Sequence, residues 1–480
     1  MTSEMGTRLQ LAAVGPQDLY ITSSSSGVTP WTTVFKRPTP FALDVVETPF
    51  ANAFIMGRRN RTDVPTSGDC LGGITLELRL PRIPGAIPGD TWVPAIGYAL
   101  LRRVRVWLND TLLSDTERLW YDLHDRLFET KDTAAMLGSG APLSLAQPHV
   151  VHVPLKLPWH RGNWFPLVAA FGGRMTLDIE AEAFAACIRP VPRVDASSSD
   201  LRRATYLTPT LVRVDLVPSP APRTLTLVSA SGAEVAIRAI LPGVAGVTVS
   251  LGAPWAAAEA RCGAGAVPVG AATLQFPGRP EELDVRCLFE VAFLDSPERF
   301  GIRRARALFH CDTAVDMEAA TYKEMVDADG RVARVGLTTA QIDLSELNFP
   351  VRALVWVVYD AAFQNMFQYH VDALRSCRVF ANNQEIVGPQ PGAYFQLMTK
   401  QAQGRVAPAR DGVHFLPFSL DVGSLQPSGA LALDRAKQPF LEVTLTDTFR
   451  ATAPKATVKV FAIVRRLLVV YNGSAVFLTV

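Results

Sequence analysis

Two copies of one short motif decide the fold: Leu101–Asp110 reads LRRVRVWLND, and Leu374–Asn383 reads LRSCRVFANN. In both copies polar and apolar side chains alternate, an aromatic residue stands near the end, and an asparagine leads a turn. Alternation with a period of two predicts a half-buried β-strand. Two further pairs follow in the same order, so that all three pairs lie 263 to 273 residues apart: Val153–Leu157 with Leu416–Leu420, and Leu177–Ile179 with Val443–Leu445. Three ordered matches favour a duplicated β-domain over chance similarity among short strands.

Proline and glycine, with 35 and 33 residues, separate many short runs of alternating or β-branched residues. Many short strands between turn residues are typical of a sandwich or barrel. Each copy needs about 200 residues, the size of an eight-stranded jelly roll with long loops. Pro154 and Pro417 fall inside matched strands, and we expect both at a sheet edge or bulge because proline cannot donate to a strand ladder. The predicted fold is therefore all-β, with two tandem eight-stranded jelly rolls.

The sequence also indicates where the copies divide. The run Pro218–Pro222 is a stiff, proline-rich connector. We therefore predict an amino-terminal arm over residues 1–42, a first jelly roll over 43–220 and a second over 221–480. Residues 241–340 have no counterpart in the first copy, and we expect them to form a β-rich insertion in the second jelly roll.

One helix is predicted, over Asp115–Phe128. Ser114 and Glu117 have the spacing of a capping box, in which two side chains satisfy backbone N–H groups at the start of a helix. Leucines then recur at every fourth position and give the helix one apolar face: Leu119, Leu123 and Leu127. We expect this short helix to close one end of the first sandwich.

Bulk composition excludes several classes of protein. Apolar residues make up 48% of the chain, charged residues 19%, and the net charge is +2. This balance is that of a globular protein, and no direct nucleic-acid binding is expected from it. The sequence has no apolar run of about 18 residues that would predict a membrane-spanning helix, and it lacks the pattern of a signal peptide at its start. We expect a reducing, cytoplasmic compartment.

The six cysteines lie far apart and form no C-x-x-C pair: Cys70, Cys187, Cys262, Cys287, Cys311 and Cys377. This spacing predicts reduced, buried thiols and argues against a disulfide framework or a zinc site.

No motif for catalysis, cofactor binding or metal binding stands out. Phosphate-binding, dinucleotide-binding, nucleophile-elbow and zinc-protease patterns are all missing from the sequence. Asp327–Gly330 begins like a calcium loop, but Thr338 stands where an EF-hand needs glutamate, so a β-hairpin turn is favoured. His149 and His152 are three apart in a strand-like segment and are expected on opposite faces. We predict a protein that is not an enzyme, with no catalytic, cofactor-binding or metal-ligating residues.

Three Asn-x-Ser/Thr triplets begin at Asn60, Asn109 and Asn472. Glycosylation needs an exposed loop and a secretory compartment. Because no signal peptide is predicted, chance matches are the favoured interpretation of all three.

Several longer segments resemble one protein family. Residues 9–42, LQLAAVGPQDLYITSSSSGVTPWTTVFKRPTPFA, resemble the amino-terminal arm of the major capsid proteins of nucleocytoplasmic large DNA viruses, the double jelly-roll capsid family. Further similar segments span most of the chain in the order of the family: Gly68–Leu78, Trp92–Leu100, His160–Ala169, Leu347–Val357, Ser419–Arg435 and Val458–Leu468. The arm departs from the family pattern at Pro38 and Pro40, which are expected to stiffen it.

The resemblance implies a structural role. It implies homotrimers with six similar sandwiches, which form nearly hexagonal capsomers and tile the icosahedral shell of a large double-stranded DNA virus assembled in the host cytoplasm. Implied partners are neighbouring capsomers, minor capsid proteins and components of the inner viral membrane. No cofactor is implied.

Two other functions remain open at the level of sequence. A double jelly-roll paralogue could act as a transient membrane scaffold, or as a minor or vertex capsid protein. A glycan-binding jelly-roll protein, from a different class, would act as a monomer and would need an aromatic and carboxylate cleft.

Overall fold

The chain is described by a computed structural model. It describes residues 40–83, 91–129, 143–159, 164–189, 282–304, 307–326, 332–360, 367–403, 406, 408–424, 427–452 and 455–478, and between 201 and 271 it describes backbone strands alone. The predicted arm and Pro218–Pro222 lie outside the described residues, apart from the last three residues of the arm. The helices are α1 (Ile96–Leu100), α2 (Arg118–Phe128), α3 (Ser296–Arg304), α4 (Thr399–Ala402) and α5 (Asp447–Thr452), with a π-helical turn at Tyr394–Met398 and 3₁₀ turns at Phe184–Ala186 and Leu433–Arg435.

Strands are numbered along the chain. The first ten are β1 (Phe41–Pro49), β2 (Phe54–Ile55), β3 (Arg59–Asp63), β4 (Cys70–Leu80), β5 (Thr91–Trp92), β6 (Leu101–Leu108), β7 (Thr111–Glu117), β8 (His149–Pro154), β9 (Met175–Ala181) and β10 (Ile188–Arg189). The next eight are β11 (Leu201–Thr208), β12 (Leu211–Leu216), β13 (Leu225–Ser229), β14 (Glu234–Val235), β15 (Ile237–Gly243), β16 (Gly246–Leu251), β17 (Ala257–Cys262) and β18 (Gly265–Ala271). The remaining strands are β19 (Glu282–Leu294), β20 (Ala307–Ala320), β21 (Tyr322–Val326), β22 (Val332–Gly336), β23 (Thr339–Asp343), β24 (Val351–Asp360), β25 (Leu374–Ala381), β26 (Gln384–Gln390), β27 (His414–Pro417), β28 (Phe440–Leu445), β29 (Ala456–Tyr471) and β30 (Ser474–Leu478).

Two sandwiches repeat one topology. In the first sandwich, one sheet has the order β1-β19-β4-β8 and the other has the order β3-β9-β6-β7. In the second sandwich, the corresponding orders are β20-β29-β24-β27 and β23-β28-β25-β26. Each sandwich therefore has eight principal strands in the same antiparallel arrangement, and the prediction of two tandem jelly rolls is confirmed.

The repeated motif occupies the same place in both sandwiches. Strands β6 and β25 share one pattern of buried and exposed positions along all eight residues. Each leads into a turn with a left-handed asparagine, at Asn109 in the first copy and Asn382 in the second. Pro154 and Pro417 lie in β8 and β27, which are edge strands, as a residue without an N–H donor requires.

The predicted division of the chain differs from the strand pairing. Strand β19 lies beyond residue 220, yet it pairs along its length with β4 of the first sandwich, with Val285 opposite Leu78. The first sandwich therefore closes at Leu294, and the second begins with β20. The boundary at residue 220 and an insertion over 241–340 in the second copy are wrong, because composition identifies strands but not their distant partners.

The insertion belongs to the first sandwich instead. Strands β11 to β18 form one sheet in the order β14-β13-β17-β18-β11-β12-β16-β15, and they lie in sequence between β10 and β19. In the second copy, β21 and β22 form a hairpin between the first two principal strands, as the Asp-Gly pair predicted. The turn of this hairpin lies outside the described residues.

The helix prediction needs one correction. Helix α2 begins at Arg118, and Ser114–Glu117 belong to strand β7. Asp115 accepts hydrogen bonds from Arg103 Nε at 2.6 Å and Arg105 Nε at 3.3 Å, so pairing with β6 fixes this segment as a strand. Glu117 precedes the helix without a side-chain capping bond.

Burial follows the strand pattern. Leu76 and Leu78 of β4 point into the core of the first sandwich, and Leu354 and Trp356 of β24 point into the core of the second. Five cysteines, namely Cys70, Cys187, Cys287, Cys311 and Cys377, are buried free thiols. Among the described residues, no helix is both long and apolar enough to span a membrane.

Candidate functional site

The contact between the two sandwiches is an extensive cluster of buried side chains. Helix α2 of the first sandwich lies on the outer face of the second, where Leu123 and Trp120 pack against β24 and β29. The rings of Trp120 and Phe461 are 5.6 Å apart. Residues on one face of β24 turn outward to meet the helix: Ala353, Val355 and Val357. We name this contact the α2 junction.

Helix α2 has two apolar faces, since Tyr121 points the other way, into the first core. The four leucine and tryptophan side chains of the junction are almost fully buried: Leu119, Trp120, Leu123 and Leu127. The predicted apolar face is therefore confirmed. The helix covers the sheet of the second sandwich and also packs on the first core through Tyr121.

Polar groups surround this apolar contact. The hydroxyl of Tyr369 donates to Asp122 Oδ2 at 2.6 Å, and Arg126 binds the same carboxylate at 2.8 Å. Arg126 also donates to the Phe367 carbonyl oxygen at 2.9 Å and lies 4.8 Å from the ring centre of Tyr369. Burial raises the pKa of Asp122 above its ordinary value, against the opposing effect of Arg126. These bonds join the two sandwiches in one orientation.

A buried lysine forms a second link. Lys459 of β29 lies 2.7 Å from Asp316, 2.9 Å from Glu117 of the first sandwich and 3.3 Å from Glu318. Burial by itself lowers the pKa of this ammonium, but Glu117 and Asp316 outweigh it and raise the pKa above its ordinary value. The lysine therefore stays charged and connects strands of both sandwiches.

A hairpin turn forms the third link. Between β29 and β30, the left-handed pair Asn472-Gly473 makes a tight turn that lies on the first sandwich. Asn109 Nδ2 donates to the Gly473 carbonyl oxygen at 2.8 Å. A Cβ atom on Gly173 would stand 2.4 Å from that same oxygen, so the two backbones meet at a position that only glycine fits.

The second sandwich also buries a histidine. His414 is fully enclosed, with Nδ1 3.3 Å from the Trp356 carbonyl oxygen and Nε2 3.0 Å from the amide nitrogen of Gln396. The neutral tautomer with hydrogen on Nδ1 donates to the first and accepts from the second. Burial lowers the pKa of His414 to about 4.

The residues weighed for metal binding are placed as follows. His149 binds the Ser144 carbonyl oxygen at 2.9 Å, whereas His152 lies 3.6 Å from Glu77. His124 lies in a group with Asp125 and Glu129. Lys156 reaches both of these carboxylates, at 2.7 and 3.3 Å, so an ammonium group balances their charge.

The three Asn-x-Ser/Thr asparagines differ in their surroundings. Asn60 is buried and donates to the carbonyl oxygens of Ile55 and Arg58, at 2.9 and 3.1 Å. Asn109 is engaged with Gly473 as described above, and Asn472 is exposed in its turn. The interpretation of the triplets as chance matches stays a prediction.

Sequence reasoning missed two buried charged residues of the second sandwich. Lys459 and Arg352 each interrupt a run of apolar residues, and this interruption is the signal that marks them. Arg352 donates to Asp312 Oδ2 at 2.7 Å and to two backbone carbonyl oxygens. A charge inside an apolar strand requires a buried partner.

Comparisons with known proteins fit this architecture. A family model for the major capsid protein N-terminus matches residues 29–204, and a model for the large eukaryotic DNA virus major capsid protein matches residues 321–476. The chain belongs to the major capsid protein family of large eukaryotic DNA viruses. Most of the inserted sheet, together with β19, lies between the two matched ranges.

Relatives in this capsid family are distant. Capsid protein 1 of Acanthamoeba polyphaga mimivirus is 26% identical over 193 residues, which are 34% of this chain and 32% of the relative. The major capsid protein of Paramecium bursaria Chlorella virus 1 is 28% identical over 123 residues, 26% of this chain and 27% of the relative. The aligned segments therefore span about a third or less of these relatives.

Solved structures share the fold over almost the whole chain. The PBCV-1 VP54 structure, fitted into a cryo-EM reconstruction of the virophage Sputnik, covers 94% of this chain and 99% of its own, with TM-score 0.63 and 16% identity. The match to the Faustovirus major capsid protein covers 98% of this chain and 97% of that protein, with TM-score 0.62 and 11% identity. At these identities the likeness shows the fold alone.

Proposed function

We propose that this chain is a major capsid protein whose homotrimers are pseudo-hexagonal capsomers in the icosahedral shell of a large double-stranded DNA virus. The observation that carries the proposal is the repetition of one eight-stranded sandwich within a chain of this family. Three chains present six similar sandwiches, and six similar units around an axis give a nearly hexagonal tile.

The α2 junction supports a mechanical role. Together with the buried Lys459 and the turn at Gly473, this apolar contact holds the two sandwiches in one orientation. A tile needs this rigidity because a flexible joint between the two sandwiches would change the angle between neighbouring tiles. Closed symmetry then fixes the number of chains in each capsomer.

We further propose the partners that the shell requires. Neighbouring capsomers meet edge to edge, and residues 1–42 extend to neighbouring capsomers, minor capsid proteins or the inner viral membrane, with assembly in the host cytoplasm. Deletion of residues 1–30 is expected to impair lattice assembly more than trimer formation. A monomeric, unfolded product would contradict this division of roles.

The oligomeric state and the abundance of the protein test the main proposal. Light scattering of the purified chain is expected to give three times its 52.1 kDa mass, and negative-stain images are expected to show hexagonal outlines. Mass spectrometry of purified virions is expected to rank the protein among the most abundant components. A trimer that is scarce in virions would indicate a scaffold or minor capsid protein, and a monomer would refute the capsomer.

A further inference from the structure

We propose that the contact between chains in the capsomer repeats the α2 junction. The segment Tyr394–Ala402 of the second sandwich packs on the outer face of β4 and β19 in the first sandwich of a second copy. This inference rests on the proposed trimer and names the surfaces that form it.

Tyr394–Ala402 occupies the place of α2 in the repeat. Helix α2 stands between β7 and β8, and Tyr394–Ala402 stands between β26 and β27, the corresponding strands. The pair Trp120-Tyr121 aligns with Tyr394-Phe395 at nearly the offset of the repeated strand motif. As Tyr121 packs into the first core, Phe395 packs into the second.

The outward faces of the two helical segments differ in what covers them. In α2, Trp120 and Leu123 are buried under the second sandwich. At the corresponding positions Tyr394 is 38% exposed and Leu397 is half-buried, and the neighbouring Met398 is 57% exposed. Tyr394, Leu397 and Met398 have the i, i+3, i+4 spacing of one helix face, so they form an apolar stripe open to solvent.

The receiving face is located by strand register. Pro417 stands opposite Ala353, and Pro154 stands opposite Thr75, so Thr75 takes the place of Ala353. The same register places Glu77 where Val355 lies.

The register of the central strands extends the match. Phe461 stands opposite Val355, and Arg286 stands opposite Glu77, so Arg286 takes the place of Phe461. The outer face of the first sandwich thus offers polar groups at the positions that bind α2: Thr75, Glu77, Arg79, His152 and Arg286.

This face is partly exposed in the single chain. The side chains of Arg79 and His152 remain 42% and 41% exposed. A second copy is the occupant that fits, because the described part of each chain carries both this helical stripe and a face at the matching position of the repeat. A contact of this head-to-tail kind, repeated by rotation, closes into a ring.

The equivalence predicts a specific pair of residues. Trp120 and Phe461 touch within the chain, and their counterparts are Tyr394 and Arg286. An arginine over a tyrosine ring is a favourable cation–π contact. We therefore place Arg286 of one copy against Tyr394 of the next.

Cysteine cross-linking tests this pair. The double variant Tyr394→Cys with Arg286→Cys is expected to give disulfide-linked dimers and trimers on a non-reducing gel under mild oxidation. The matched control, Tyr394→Cys with Leu420→Cys, places the second thiol on an exposed side chain elsewhere and is expected to stay unlinked. The five described native cysteines are buried and give little background.

A second variant tests the apolar stripe without cross-linking. Met398→Asp is expected to raise the trimer dissociation concentration about tenfold or more while leaving the urea midpoint of the monomer unchanged. Leu420→Asp, which also adds a charge at an exposed leucine, is expected to do neither.

The outcomes separate the two proposals. Cross-linked trimers with a weakened Met398→Asp assembly support this inference. A stable trimer that neither cross-links through Tyr394 and Arg286 nor responds to Met398→Asp overturns the inference and leaves the capsomer intact. A wild-type chain that stays monomeric at all concentrations overturns both.

Discussion

The outer faces of β4 and β24 hold the same position in two copies of one sandwich, yet their chemistry is opposite. Val355 and its neighbours on β24 are apolar and completely covered by α2. Glu77 and Arg79 on β4 are charged, paired with each other at 2.7 Å and partly exposed to solvent. The backbone arrangement is shared, and in the proposed capsomer the two faces differ in when each becomes covered.

A face covered by its own chain can have the composition of a core. It meets its partner during folding and is never exposed in the native protein, so apolar side chains there carry no risk of aggregation. A face that waits for another chain must keep the single chain soluble, and polar groups serve that need. The two copies of the sandwich therefore share a backbone and differ in composition at this face.

The largest expected effect compares two leucines at the same position of the repeat. Leu123→Ala is expected to lower the free energy of unfolding by about 2–5 kcal/mol, because it removes a fully buried side chain from the α2 junction. Leu397→Ala is expected to change it by about 1 kcal/mol or less and to weaken the trimer instead. Urea denaturation of dilute monomer measures both, and equal losses would show that the two segments do not differ in this way.

The next prediction concerns the loss of stability at low pH and compares a buried histidine with its counterpart in the first sandwich. His414 takes the place that Val151 holds in the first sandwich. Its folded pKa of about 4 lies below the ordinary 6.5. The unfolded chain therefore binds a proton that the folded chain excludes between these values. The contribution of neutral His414 to the free energy of unfolding is fully present above pH 6.5. It falls by about 3 kcal/mol as the pH drops from 6.5 through 4.

His414→Val makes the second sandwich resemble the first and tests this assignment. The variant is expected to lose most of the pH dependence of the urea midpoint between pH 6.5 and 4. His152→Gln, at an exposed histidine, serves as the control and is expected to keep it. If the pH dependence survives His414→Val unchanged, the source lies in other groups.

A smaller effect is expected at the buried lysine. Lys459→Met leaves Glu117 and Asp316 without their shared ammonium group. Loss of one partner from a buried ion pair costs about 3–5 kcal/mol, and we expect about 1–3 here because both carboxylates are partly exposed. Lys437→Met, at an exposed position, is expected to change stability by less than about 0.5 kcal/mol. Equal midpoints for the two variants would mean that the network does not stabilise the junction.

The smallest expected effect concerns the hairpin turn. Gly173→Ala introduces a methyl group that would stand 2.4 Å from the Gly473 carbonyl oxygen. We expect a loss of about 1–2 kcal/mol as the turn shifts. Gly301→Ala, in helix α3 with open space around it, is expected to be neutral or stabilising. Thermal melting of both variants checks this, and a neutral Gly173→Ala would show that the turn is not held at that point.

Local features of the fold were readable from the sequence. The repeated strand motif, the edge prolines Pro154 and Pro417 and the apolar face of α2 each follow from a short-range rule, and the structure bears out all three. The start of α2 was misplaced because Ser114–Glu117 satisfies a helix rule locally while Asp115 binds two arginines on the adjacent strand. The arginines on β6 therefore determine that this segment is a strand.

Long-range pairing was not readable. Nothing in the residues of β19 indicates whether it completes the first sandwich or begins the second, since both roles need a buried alternating strand. The site was missed for the same reason. Glu117 and Lys459 are more than 300 residues apart in sequence, and only the folded chain brings them to 2.9 Å.

The late position of β19 sets an order of events on the ribosome. This strand is central in its sheet, between β1 and β4, but it is synthesised only after the whole inserted sheet. At roughly 5–20 residues per second, the other seven strands of the first sandwich wait for several seconds before their sheet can close. During that interval β4 has one edge without its partner, a state that favours wrong pairing. The size of the insertion therefore sets how long each nascent chain is exposed to misfolding.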